Sequence, residues 1–556
     1  MNLAVLADEH AAADRALYEA GTWHTWGEVR RRAAAVATAL ADFGVRPDDR
    51  VAIVWPTSVD FVVAYLGVLA TGAVAVPLNP NSPPNELARE LKVVEPVVLL
   101  ANGAAGVVPK VPHVVLPAVH ASAPAAAALG VRAWEEVSAA PKPEPEPVEP
   151  PTAQAPGTEE AQAAKKGEAD GAEEAPATTK EGGSDGPAEG VPEAEPFLRP
   201  VEREESDLAV LLFTSGTAGD PKAAMLTHGN LMSNLRQMLA IPEILVSDDV
   251  GFVALPLFHI FGLNVVLGLS LATGAALVLD TRFDAAGSLA QVRDLGVTTL
   301  LGVPTMFAAW ADLPSSPRGD PSPLAGVRRA ISGAAALDAD VAARFERRYG
   351  IEIWQGYGLT EASPAVSTSV GTGRNRPGSV GRPLPGIEVQ LMDEEDEPVL
   401  EGDPGEIWVR GANVFAGYWR DRAATSRVIT DDGWLRTGDI GVIGDEGDLF
   451  VVDRSKDLII VSGFNVFPAE VERVVASVPG VSEAVAVGRP DPVTGETVEV
   501  VIVAEPAGAV TEELVRAYCA ANLARYKCPT VIRFVPELPK GLADKALRRA
   551  LRDRPA

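Results

Sequence analysis

Between Arg30 and Leu78 the apolar pattern changes period repeatedly, and this alternation restricts the fold more than any other feature. RRRAAAVATALADF (Arg30–Phe43) repeats at helical spacing, and RVAIVW (Arg50–Trp55) is a short continuous apolar run. DFVVAYLGVLATG (Asp60–Gly72) is helical again and closes on glycine, and AVAVPL (Ala73–Leu78) is the next run. A strand that returns parallel to its predecessor needs a crossover, which the helix supplies, so the pattern predicts an α/β fold of layered sheets and helices. The alternation resumes at Asp207, where VGFVAL, ALVLD, VTTLLGV and RRAISGA read as buried strands up to about Val452. From Asp453 a smaller α/β unit follows: DLIIV, a helix over Pro468–Ser477, VSEAVAVG, VEVVIVAE, a helix through Glu512–Leu523, and VIRFVPEL. The expected organisation is a large domain over 1–452 and a small one over 453–556, with no repeat of fixed period.

An acidic insertion, about 139–204, interrupts the large domain. Its centre, Pro141–Pro196, has almost no large apolar residue and holds 14 acids against 4 lysines, a net −10 of the chain's −28. Such a stretch cannot bury enough surface to offset its ordering entropy and is expected to be disordered. A solvated insertion and a docking or regulatory tail both fit, and composition favours the first.

The whole chain of 556 residues is 47% apolar and has material for a large core. The negative balance argues against a nucleic-acid partner, which needs a basic face. Two cysteines, Cys519 and Cys528, make no disulfide framework or zinc spacing and read as ordinary thiols in a reducing compartment. MNLAVLADEH lacks the basic start of a signal peptide. Phe61–Leu78 and Leu263–Leu279 are apolar enough to suggest membrane spans, but Gly and Thr interrupt both, and Asn264 and Ser270 the second. Buried helix followed by buried strand is expected for each. A cytoplasmic protein with no transmembrane segment is expected; a peripheral membrane contact and the oligomeric state stay open.

The segment LLFTSGTAGDPKAA (Leu211–Ala224) breaks an apolar run into hydroxyls and glycines before a lysine. Thr214, Ser215, Gly216, Thr217 and Gly219 offer hydroxyls, backbone N–H groups and permissive φ/ψ, and Lys222 offers a point charge, a set suited to polyphosphate. It is not a Walker A loop, because Gly219 is followed by Asp-Pro-Lys. Taken alone, it is equally a Gly/Thr turn between strands.

Four further motifs accompany it: QGYGLTE (Gln355–Glu361), WLRTGDIG (Trp434–Gly441), DRSKDLIIVSGFNVFPAEVE (Asp453–Glu472) and PKGLADKALRR (Pro539–Arg549). In this order they resemble the adenylate-forming superfamily of acyl-CoA synthetases, luciferases and peptide-synthetase adenylation domains. The resemblance spans nearly the whole chain except the insertion. PLFHIFG (Pro256–Gly262) is most similar to the fatty acyl-CoA ligases, and no acid stands between Phe258 and Leu267 to hold a substrate ammonium.

The resemblance implies an ATP- and Mg²⁺-dependent ligase with CoA as co-substrate and a fatty or related carboxylic acid of medium or long chain. It implies a small, mobile C-terminal domain. It puts the 214–222 loop on the β/γ-phosphates, Glu361 on Mg²⁺ and Thr360 at the α-phosphate. Gln355, Gly356, Tyr357 and the strand end SGAAAL, with Gly333, Ala334 and Ala335, would line the adenine and acyl pockets. Asp439 and Arg454 would hold the ribose, and His259 would face the acyl or pantetheine channel. Lys545 would lie between the attacking carboxylate and the α-phosphate, Lys456 would mark the hinge, and Ser462, Gly463 and Phe464 would face the pantetheine channel after the small domain rotates. Read alone, Asp439 is equally a turn residue, Glu361 a helix-start acid, His259 a core histidine and Lys545 a surface lysine.

Three departures from the family pattern stand out: Ala218 and Ala223 in the phosphate loop, Ala336 in place of proline, and Asp544 in place of the glycine before Lys545. An acid there sets negative charge beside an anionic transition state. Weaker adenylation than in a typical relative is expected, raised by Asp544→Gly, and poor acetylation of Lys545. Two other functions remain: an acyl-AMP ligase, whose carrier is expected to be a separate protein, and an impaired paralogue that binds acyl groups or nucleotide. Luciferase-like oxygenation has no distinguishing feature.

Overall fold

The computed structural model describes residues 2–103, 111–116, 132–139, 199–214, 221–242, 244–314, 322–335, 337, 339–373, 375–393, 395–400, 402–444, 446–454, 459–466, 468–504 and 510–538. The centre of the acidic insertion lies outside them. Its expected C-terminal end does not: residues 199–204 are described and Arg203 is buried.

Two large sheets form the body. In the seven-stranded sheet, Arg50–Val54, Val74–Leu78, Val98–Ala101, His113–Leu116 and Leu208–Thr214 run parallel, and Lys222–Thr227 closes one edge antiparallel to Leu208–Thr214. In the nine-stranded sheet, Val250–Val253, Ala276–Leu279, Thr299–Gly302, Arg329–Ser332 and Ile353–Gly358 form a parallel centre. These runs are Val/Ile/Leu-rich because helices cover both faces of such strands.

Local chemistry sets the helices. Thr25 and Glu28 form a reciprocal cap at the start of Trp26–Asp42, and Ser58 accepts from the Phe61 N–H at the start of Val59–Ala70. The second helix is buried everywhere but Asp60. The two helices approach closely at Gly67, where a Cβ would lie 2.7 Å from Val36 Cβ. Any side chain at Gly67 therefore forces them apart.

Both apolar stretches are buried helix followed by buried strand, as predicted: Val59–Ala70 then Val74–Leu78, and Phe261–Thr273 then Ala276–Leu279. The second helix opens as a π-helix over Phe261–Gly268. No helix among the described residues is long and apolar enough to cross a membrane.

A four-stranded antiparallel sheet follows (Glu388–Met392, Gly405–Arg410, Leu435–Ile443, Leu449–Arg454). The last sheet (Ile459–Val461, Phe464–Val466, Val481–Asp491, Gly495–Ala504, Val531–Phe534) packs on helices Pro468–Ala476 and Glu512–Asn522 around its own apolar core. The separate core begins at Ile459, a few residues beyond the expected boundary at Asp453.

Candidate active site

Strand ends from both large sheets meet at a cavity of about 1060 Å³. Carboxyl ends of parallel strands are where α/β folds hold ligands, because the strands stop there and the loops carry the chemistry. Thr214 and Lys222 face each other across the ends of the antiparallel pair, and both line the cavity. Thr227 ends that second strand and caps helix His228–Leu239 with Asn230, which fixes the strand's register.

Glu361 sits in a single 3₁₀ turn after strand Ile353–Gly358. Its Oε1 accepts a 2.7 Å hydrogen bond from the Tyr418 hydroxyl, and Lys222 Nζ lies 5.1 Å from the centre of the Tyr418 ring. Burial raises the Glu361 pKa above the usual glutamate value; Tyr418 works the other way, Asp439 adds to the rise, and Lys222 opposes it. Burial also raises the Tyr418 phenol, with Glu361 adding to it. A desolvated carboxylate held by the Tyr418 phenol and a backbone N–H is short of positive charge. That suits a hard cation completed by phosphate oxygens, and among the described residues no cluster of three or more acidic, His or Cys ligands competes for one. Mg²⁺ therefore fits the residues present.

Tyr357 donates from its hydroxyl to Asp439 Oδ2 at 2.8 Å, and both groups are buried. The strand register sets Arg454 opposite Asp439. His259 also lines the cavity; burial lowers its pKa to about 4, so the ring is neutral. Its Nδ1 accepts from the Phe261 N–H at 3.3 Å, which puts the ring proton on Nε2. The Phe464 ring, from the small domain, stands edge-on to it at 6.5 Å.

The structure brings Thr214, Lys222, His259, Gly333, Ala334, Gly356, Tyr357, Thr360, Glu361 and Asp439 to one cavity. Gln355 does not line it. Its side-chain oxygen accepts from the Leu337 N–H and its nitrogen donates to the Ser379 carbonyl, both at 3.3 Å, so it braces the loop that carries Gly333. Ala335, Ser462 and Gly463 also lie off the cavity wall; Gly463 is turned against Val303, and Phe464 is the residue of that segment that reaches the cavity. Ser215, Gly216, Thr217, Gly219, Lys456 and Lys545, with Ala218, Ala336 and Asp544, lie outside the described residues. Sequence reading missed Tyr418, Phe261, and the apolar lining from Met238, Ile244, Leu245, Val265 and Leu269. The signal for Tyr418 was the aromatic run GYW, since a buried phenol needs a partner.

The fold and this site define an adenylate-forming enzyme. The chain belongs to the AMP-binding enzyme family, matching it over residues 5–419 and the AMP-binding enzyme C-terminal domain over 470–545. It is 40% identical over 361 residues to the long-chain-fatty-acid–CoA ligase of Escherichia coli O157:H7, covering 64% of this chain and 63% of that protein. The match thus spans less than two thirds of that ligase's length. It is 34% identical to the feruloyl-CoA synthase of an Amycolatopsis species, covering 98% of this chain and 96% of that one. The structure of the amide bond synthetase McbA from Marinactinospora thermotolerans is similar with a TM-score of 0.79 at 26% identity, over 99% of both chains.

Proposed function

We propose that this protein is an ATP-dependent acyl-CoA ligase that activates a hydrophobic carboxylic acid as its acyl-adenylate and passes the acyl group to CoA. One observation carries the reading: a single cavity joins Lys222, Glu361 and Asp439 to the uncharged lining of Met238, Ile244, Leu245, Phe261, Val265 and Leu269. A charged end and an apolar end suit a nucleotide and a fatty or similar acid.

In the first step a carboxylate oxygen bonds to the α-phosphorus of ATP, the bond to the β-phosphate oxygen breaks, and pyrophosphate leaves. Two anions must approach, so positive charge and aimed donors lower the barrier. Lys222, with the 214–222 loop, holds the leaving phosphates, and Thr360 donates at the α-phosphate. Asp439, fixed by Tyr357, accepts from the ribose hydroxyls together with Arg454. Glu361 would hold Mg²⁺, which supplies charge neutralisation on the phosphates when bound. Lys545 adds an ammonium at the reacting centre. In the second step the CoA sulfur bonds to the acyl carbon and AMP leaves. Phe464, against neutral His259, forms the wall past which the thiol reaches that carbon.

The acid is a medium- or long-chain fatty acid. The near-full-length match to a feruloyl-CoA synthase supports an arylpropenoic acid as the second reading. The test is AMP and pyrophosphate release over fatty acids of graded length and ferulate, with and without CoA. CoA-dependent turnover peaking on fatty acids is expected. Turnover confined to ferulate moves the assignment to the second reading, and turnover that ignores CoA but needs a carrier protein overturns the ligase.

A further inference from the structure

The small domain meets the large one through a buried charge cluster that the chemistry above does not use. Lys527 Nζ lies 2.8 Å from Glu86 Oε1 and 2.9 Å from Glu470 Oε1. Glu86 belongs to helix Pro84–Val94 of the large domain, and Glu470 and Lys527 to the small one. The Lys527 and Glu86 side chains are 7% and 6% exposed, so this is an interior ion pair across a domain boundary rather than a surface contact. Burial pulls the ammonium towards its neutral form, and Tyr526, Glu470 and Glu86 outweigh that, so Lys527 stays charged. Beside the pair, Arg89 donates to the Asn522 carbonyl at 2.9 Å, and the Asn85 amide donates to the Asn522 side chain at 3.2 Å.

The cluster is coupled to the cavity. Tyr526, next in the chain to Lys527, stacks on Phe464 with ring centres 4.3 Å apart, and Phe464 is the ring that stands against His259. Glu86, Lys527, Tyr526 and Phe464 all line the same cavity. Moving the small domain away would keep Lys527 with Glu470 but separate it from Glu86, exchanging the interdomain pair for water. A buried ion pair is weak as a source of stability but strong as a selector of one arrangement, because removing a single partner strands the other charge.

We propose that Lys527, bridging Glu86 and Glu470, is a positioning residue that latches the small domain where Tyr526 and Phe464 complete the cavity wall, and that the latch serves acyl transfer to CoA rather than adenylate formation. The proposal rests on the ligase reading. The test measures the half-reactions separately in the full chain: carboxylate-dependent ATP–pyrophosphate exchange without CoA, and single-turnover transfer from preformed acyl-adenylate to CoA. Glu86→Gln and Lys527→Met are expected to slow transfer about 10-fold or more while exchange stays within about twofold. The swapped pair Glu86→Lys/Lys527→Glu is expected to recover part of the transfer rate. Equal loss in both half-reactions, or no loss in either, overturns the latch. Hydrogen exchange, which needs no activity, separates this from failure of the ligase reading. If wild type shows no carboxylate-dependent exchange, the ligase reading fails, yet Glu86→Gln should still raise amide exchange in Pro84–Val94 and Arg525–Lys527 and leave the small-domain strands Val481–Asp491 and Gly495–Ala504 protected. Unchanged protection at the seam overturns the latch in either case.

Discussion

Gly333 is where the acyl reading can be tested most sharply. A Cβ built there would lie 2.9, 3.2 and 3.3 Å from Cζ, Cε2 and Cε1 of Phe261. Carbon atoms pack best at roughly 3.5–4.0 Å, so Gly333→Ala forces the ring back by about 0.6 Å. Phe261 and Gly333 both line the cavity, so the ring has room to retreat, and it retreats into the space assigned to the acyl group. Gly333→Val adds two more methyls on the same side. One methylene of misfit in a hydrophobic pocket is worth about 1–3 kcal/mol, or roughly 10–200-fold in kcat/KM. We therefore expect Gly333→Ala to lower kcat/KM for long-chain acids about 10-fold and Gly333→Val about 100-fold, with a four-carbon acid changing less than about threefold. The assay is pyrophosphate release across a chain-length series, with thermal melts to detect overpacking, which costs about 1–3 kcal/mol. Adding Phe261→Leu to Gly333→Ala should restore long-chain activity. A loss of equal size at every chain length, or none at all, refutes the placement of the acyl group beside Phe261.

Tyr357→Phe removes the donor that fixes Asp439; hydrogen bonds to charged groups are worth about 1.5–3 kcal/mol, so KM for ATP should rise about 10-fold with KM for the acid unchanged. Glu361→Gln relieves a desolvated carboxylate, so the ligand-free protein should melt higher while the stabilisation by Mg²⁺-ATP in a thermal-shift titration is lost. Glu90 is buried, and its pKa is pushed up to about 8, first by desolvation and then by Glu86, with Glu470 adding to the rise and Lys527 and Arg89 opposing it. The folded state thus holds a proton that the unfolded chain releases near the ordinary glutamate value of 4.5. This contribution to stability is full below that value and is lost as pH rises through about 8. In denaturant titrations between these pH values, Glu90→Gln should flatten the decline, and an unchanged slope would show that Glu90 is ionised in the fold.

The buried parallel strands and the helices read from the sequence were legible because each depends on local periodicity and such strands leave continuous apolar runs; helices such as Pro84–Val94, His228–Leu239 and Ala339–Tyr349, and the four-stranded antiparallel sheet, were not read. The cavity's polar residues were legible where they stand at or just past strand ends, as Thr214, Lys222, Thr360 and Glu361 do, and Asp439 was legible from its motif although it sits mid-strand in Leu435–Ile443. Gln355 was misplaced because a motif does not tell how deep in a sheet each residue sits. Tyr357 is at the mouth of strand Ile353–Gly358, and Gln355, two residues back, is about 6.6 Å further in at the usual strand rise. There its amide meets backbone groups instead of ligand. Contacts of long separation left no local trace. Tyr418 reaches Glu361 across 57 positions, and Lys527 reaches Glu86 across 441. The acyl lining was invisible for another reason: Met238, Ile244 and Leu245 are apolar residues at a helix end and in the loop that follows, and nothing in composition separates a pocket wall from a core.

Arg203 has a consequence for how this chain can vary. Its guanidinium is bound to Asp48 and, at 3.0 Å, to Asp207. Nearby, the Val201 N–H donates to the Ala70 carbonyl at 2.8 Å, and the Asn2 amide donates to the Val201 carbonyl at 3.0 Å. Strand Leu208–Thr214, which ends at the cavity, therefore starts from a fixed point whatever the length of chain before it. Changing the number of residues between Ala139 and Arg199 should therefore leave the register of Thr214 and Lys222 undisturbed, and strand pairing followed by hydrogen exchange in a shortened variant checks this.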